Sequence, residues 1–134
     1  MRSNPLYLYL FLSAAMLMLG CSEDTLTLTP SEVRTSDQSP ASPYDTVSVD
    51  KVYAAEEGWL VVYQDASGGY GRQLGHTKVR PGSSEALSLT LTRTCIDGET
   101  LRVLLHVDKG QDGDFEFPGS DEPVLDEKGE PVGS

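Results

Sequence analysis

A two-residue apolar period runs through this chain from about Tyr44 to Val107, and it constrains the fold more than any other feature. Val47 and Val49 alternate with Ser48 and Asp50. Leu87, Leu89 and Leu91 alternate with Ser88, Thr90 and Thr92. Leu101, Val103, Leu105 and Val107 fall on one face, with Arg102, Leu104 and His106 on the other. Successive side chains of a strand point to opposite faces, so this spacing reads as half-buried β-strands. Trp59-Leu60-Val61-Val62-Tyr63 is a further β-rich run, and Gln73 to Val79 a weaker one. Turn-forming segments separate them: Gly68-Gly69-Tyr70-Gly71, Pro81-Gly82-Ser83-Ser84 and Asp97-Gly98. No segment after residue 21 shows a helical face. Short strands at this spacing predict an all-β fold, a β-sandwich or a small barrel. The expected inward row is Val47, Val49, Trp59, Val61, Leu87, Leu89, Leu91, Leu101, Val103 and Leu105. Trp59 is expected between the two sheets. The alternative reading places Trp59, Tyr63 and Tyr70 on a carbohydrate- or peptide-binding patch.

Two different kinds of sequence precede this domain. Residues 1–5 carry one charge, Arg2, and Leu6 to Leu19 is an apolar run broken only by Ser13. Fourteen residues fall short of the roughly 20 that cross a bilayer as a helix. They suit the apolar core of a secretory signal, with Gly20 as the small residue before the cut. Met18-Leu19-Gly20-Cys21 resembles the signal box of bacterial lipoproteins, with Met18 where leucine is usual and Leu19 where a small residue is usual. The resemblance implies cleavage after residue 20 and a diacylglycerol on the Cys21 thiol. Several acyl chains, at about 0.8 kcal/mol per buried methylene, anchor a protein without a spanning helix. Ser22, rather than Asp, follows the cysteine, which by the same resemblance implies the outer membrane of a bacterial cell envelope. An ordinary signal peptide with an incidental cysteine is the plainer reading.

Residues 21–43 are then read as the lipidated cysteine and a disordered tether, rich in Ser, Thr, Pro, Asp and Glu. Leu26 and Leu28 alternate with threonines and could form a short stray strand. The folded domain is expected over 44–134.

Charge narrows the classes of partner. The chain has 134 residues and a formal net charge of −11; losing the leader with its one base, Arg2, makes it −12. Phosphate backbones repel such a surface, so nucleic acid is not an expected partner. With Cys21 acylated, Cys95 has no intramolecular thiol to pair with, and its strand-like neighbours suggest a buried small hydrophobe.

Asp50-Lys51-Val52, Gly58-Trp59-Leu60-Val61-Val62-Tyr63, Leu74-Gly75 and Pro81-Gly82 resemble a domain family of unknown function. So do Leu104-Leu105-His106-Val107-Asp108, Gly113-Asp114-Phe115-Glu116-Phe117-Pro118-Gly119 and Asp121-Glu122-Pro123-Val124. That family occurs in surface proteins of salt-loving archaea and in exported bacterial proteins. The resemblance covers residues 44–134 and implies an immunoglobulin-like sandwich with no catalytic activity to carry over. Family members continue past the Pro-Val segment into a last strand, whereas this chain stops at Ser134. An open sheet edge is a pairing hazard. Residues 124–132, the tether or a second molecule are the candidates to cover it.

The densest chemistry lies between Asp108 and Glu130, where nine acids stand against Lys109 and Lys128. Asp108, Asp112, Asp114, Glu116 and Asp121 are candidate ligands for calcium, a hard cation that takes six to eight oxygens. Asp108, Asp112 and Gly113 match the loop pattern Asp-x-Asp-x-Asp-Gly. Gly110 leaves its third position without a ligand, and Gly119 stands where a bidentate Glu is usual. A solvated acidic turn is the alternative. Other motifs are weaker. Gly69-x-Gly71-x-x-x-Gly75 has the wrong spacing and no following helix for a nucleotide loop. His76 and His106 belong to no metal-type cluster, and no Gly-x-Ser-x-Gly occurs. His106 is expected on the face shared with Leu104, bonded to a neighbour.

The expected function is therefore a membrane-anchored envelope lipoprotein. It would display a small acidic sandwich as a non-catalytic interaction or adhesion module for an envelope or extracellular protein or glycan. The alternative is a calcium-dependent ligand-binding accessory or enzyme built on the 108–122 loop.

Overall fold

A computed structural model describes residues 30–38, 45–67, 69–111 and 113–134. The described chain forms six strands: β1 (Glu32–Arg34), β2 (Thr46–Ala54), β3 (Gly58–Ala66), β4 (Gly69–Val79), β5 (Gly82–Thr90) and β6 (Leu101–Val107). They make two antiparallel three-stranded sheets, ordered β1-β2-β5 and β4-β3-β6. The all-β fold expected from the two-residue period is observed, and of the two architectures it allowed, the sandwich is the one formed. The Leu26–Leu28 strand and the leader lie outside the described residues. Among the described residues no helix is long and apolar enough to cross a membrane.

The sheets face each other over one apolar core. β2 supplies Val47 and Val49, β5 supplies Leu89 just ahead of Leu91, and β6 supplies Val103 and Leu105, as their alternation predicted. Val52 also enters the core, three residues after Val49, because the β2–β5 register skips Asp50 and Ala86. β3 departs from expectation. Leu60 and Val62 point into this core, while Trp59 and Val61 belong to a second cluster on the outer face. A one-residue shift of phase turns every side chain of a strand over. Here all six residues Gly58 to Tyr63 are buried, so no polar residue marks the outer face. Trp59 is therefore not between the sheets.

The domain also begins earlier than 44. β1 lies inside the stretch read as tether and pairs with β2 through Glu32↔Tyr53, Val33↔Val52 and Arg34↔Lys51. Val33 is buried, and Ser31 Oγ accepts a hydrogen bond from Ala55 N at 3.1 Å. Three residues with one apolar side chain between two charges are too short to stand out from a polar stretch. β4 is likewise longer than its weak pattern suggested, because Gly69 and Gly71, read as part of a turn, lie within it.

The last strand is supplied by the chain itself. Residues 122–134 run along β6: Val124 N bonds Leu105 O at 2.8 Å, Leu105 N bonds Val132 O at 2.9 Å, and Val103 and Ser134 exchange two bonds of 2.9 Å. A small hairpin interrupts this pairing, closed by Val132 N to Val124 O at 2.8 Å. Asp126 Oδ1 accepts from Lys128 N and Glu130 N across its turn, at 2.8 and 2.9 Å. Gly133 lies so close to β6 that a Cβ would overlap Leu104 and the Val103 carbonyl. Thr35 Oγ1 and Ser134 Oγ then join the two sheets on this side. Thr92 N to Leu74 O, at 2.7 Å, joins them on the other. Edge strand β5 is blunted in its middle, where Ala86 takes φ 52° and does not pair with Asp50.

Candidate functional site

The phase of β3 creates a second apolar surface, on the outside of β4-β3-β6. Trp59, Val61 and Tyr63 from β3 stand beside Leu104 and His106 from β6. Left bare, this would be an exposed aromatic patch. The loop 108–121 folds over it and lays down two rings. Phe115 lies 5.9 Å from Trp59 and 5.3 Å from His106, centroid to centroid. Phe117 lies 4.8 Å from His106 and 6.4 Å from Tyr63. β4 completes the cluster with Tyr70 against Tyr63 at 5.4 Å and His76 against Phe115 at 5.1 Å. Such ring pairs each contribute about 0.5–1.5 kcal/mol beyond their buried area. Of the three patch candidates, Trp59 and Tyr63 are buried and only Tyr70 is exposed.

Two polar residues are buried as a whole among the described residues, His106 and Asp121, and both hold this loop. His106 Nδ1 lies 2.7 Å from the Asp121 carbonyl oxygen, which can only accept, so Nδ1 carries the proton. Nε2 is then the acceptor, and the Tyr63 hydroxyl donates to it at 3.0 Å. His106 thus lies on the face of Leu104 and bonds a neighbour, as expected, but beneath the loop rather than in solvent. Burial pulls its pKa below the ordinary 6.5, partly opposed by the bond to Asp121. Burial, with Tyr70 nearby, pushes the Tyr63 phenol well above its ordinary value.

Asp121 is bonded at all four of its polar atoms. Oδ1 accepts from Lys109 N at 2.7 Å and Oδ2 from Glu116 N at 2.8 Å. Its own N–H donates to Glu116 O at 3.1 Å, and its carbonyl holds His106. Glu116 plays a smaller version of the same part: Oε2 accepts from Gln111 N at 3.1 Å and Ser120 Oγ at 2.9 Å. Gly110, at φ 156°, sits directly over that carboxylate, where a Cβ would overlap it.

The candidate calcium ligands are thus distributed among protein partners. Glu116 and Asp121 come together, but around backbone N–H groups. Asp108 turns away to Lys78 at 3.3 Å, and Lys78 also meets Glu57 at 3.1 Å and the Trp59 ring at 5.8 Å. Asp114 is exposed, and Asp112 lies outside the described residues. Among the described residues no group of three or more His, Cys, Asp or Glu is placed to hold a metal ion. The pattern Asp-x-x-x-Asp-Gly shows acids near a turn but not whether N–H groups or a cation will face them. Phe115 and Phe117, two rings at period two within an acidic stretch, were the available signal that this loop is packed.

At the far end of the sandwich an open groove of about 570 Å³ is lined by Thr35, Gln38, Cys95, Glu99, Leu101 and Ser134, among others. Cys95 packs against the main core, half-buried rather than fully so. Burial and Glu99 raise its thiol pKa, which keeps it protonated. Glu99 receives both Arg93 guanidinium nitrogens, and Arg93 holds its carboxyl below the usual range.

Two consequences can be measured. Two N–H bonds to a carboxylate contribute about 1.5–3 kcal/mol each. Asp121→Ala should therefore lower unfolding stability by about 3 kcal/mol or more in urea titration. For His106, the unfolded imidazole titrates near 6.5 and the folded one lower, so the unfolded chain binds more protons between the two values. Stability should be full above pH 6.5, fall as the pH drops toward the folded value, and level off below it. His106→Gln, destabilised throughout, should lack that step.

No curated protein and no solved structure matches the chain. A family model described as a domain of unknown function (DUF7282) matches residues 31–134, beginning where Ser31 and β1 enter the fold. The latched sandwich described above is thus a DUF7282 domain, and the chain belongs to that family.

Proposed function

We propose that this chain is a bacterial envelope lipoprotein. Cys21 is acylated and becomes the mature N-terminus, and the DUF7282 sandwich is held at the membrane as a non-catalytic interaction module. The motif Met18-Leu19-Gly20-Cys21 after an apolar run supports the anchor. Ser22 after the cysteine supports the outer membrane. One observation carries the non-catalytic part: both nitrogens of His106 and all four polar atoms of Asp121 are committed to closing the loop. Neither is left to move a proton on a substrate. The groove at the other end offers a protonated thiol and an Arg-paired carboxylate, a poor nucleophile and a poor general acid. The exposed side chains bordering the aromatic face, Tyr70 and His76, suit contact with a protein or glycan partner better than chemistry.

The anchor is tested by replacing its thiol. Cys21→Ser, expressed in a bacterial host and fractionated, should lose the acylated, processed form found in the wild-type membrane pellet and accumulate with its leader unprocessed. Retention in the membrane with a processed N-terminus would contradict the reading.

A further inference from the structure

We infer that the sandwich stands on the bilayer in one orientation, with the end formed by Ala55–Glu57 and Arg80–Pro81 toward the lipid headgroups. This rests on the lipid-anchor reading.

The strands give the domain a polarity. Ser31 is bonded to Ala55, Ala54 is opposite Gly82, and Gly58 is opposite both Val79 and Val107. The chain therefore enters the fold at the end shared by the β2–β3 turn, the β4–β5 turn and the exit of β6. The opposite end holds the β3–β4 hairpin around Ser67, the 91–100 segment and Ser134.

The capture of β1 by β2 decides the orientation, because it shortens the connection to the anchor. Cys21 and Ser31 are ten residues apart, a reach of at most about 35 Å when fully extended. β2, with nine residues, is about 30 Å long. To turn the domain over, the connection has to climb that length from the membrane to Ser31 and use nearly its whole contour. Few conformations satisfy this, so the inverted arrangement is disfavoured by entropy. A connection running to Tyr44 would be long enough for either orientation. Charge at this end is mixed: Lys78, Arg80 and Lys109 stand among Glu56, Glu57, Asp108, Asp121 and Glu122, so zwitterionic headgroups suit the contact better than anionic ones.

The test uses the full lipidated chain reconstituted in phosphatidylcholine vesicles that carry a quencher on a fraction of their headgroups. In a Cys95→Ser background, a fluorophore is placed at Glu56→Cys or at Ser67→Cys, both exposed positions at opposite ends. Quenching should be several-fold stronger at position 56. Arg80→Cys and Asp97→Cys repeat the comparison if either variant of the first pair misfolds. Equal or reversed quenching on vesicle-bound protein would overturn the orientation and leave the anchor intact. Protein that does not float with the vesicles would overturn the anchor reading and the orientation with it.

Discussion

The carboxylate of Asp121, buried beneath its loop, is the interaction on which the rest of the outer face depends. A buried charge is tolerated only when hydrogen bonds replace its water. Here two backbone N–H groups do so, from Lys109 and Glu116, at opposite ends of the turn that the carboxylate closes. The same residue presents its carbonyl to His106, which passes the constraint to Tyr63 on the central strand. The loop is thereby tied to both β6 and β3, and its rings cover Trp59 and Tyr63. Removing the tie would expose an aromatic surface on a small domain, where one or two kcal/mol is a sizeable share of total stability.

Much of the sandwich was legible in the sequence because half-buried strands declare their faces. Val47 and Val49, or Val103 and Leu105, alternate with polar or outward residues, and the structure puts them where the period says. β3 failed for the opposite reason. With both faces covered, Trp59 to Tyr63 is a continuous apolar run whose phase is set by its partners, not by its own residues. β1 was hidden by its length, since one valine between Glu32 and Arg34 gives no period to detect.

The candidate site was legible as a place but not as a mechanism. Acids near glycines mark a loop that must satisfy concentrated negative charge, and either a cation or N–H groups can do that. What decides between them is the backbone path, and Gly110 and the Asp121 bonds fix that path only in three dimensions. The C-terminal edge followed the same logic: residues 124–132 were one of three candidates to cover β6, and Gly133 permits the close approach that lets the chain's own end do it.

Native-state hydrogen exchange at the Lys109 and Glu116 amides tests the central claim most directly. If Asp121 ties the loop into the cooperative fold, these two amides exchange as slowly as those of Val103 and Leu105 in β6, and their opening free energy equals that of global unfolding. Exchange at the rate of an exposed turn, with β6 still protected, would show that the loop opens independently and that Asp121 does not hold it.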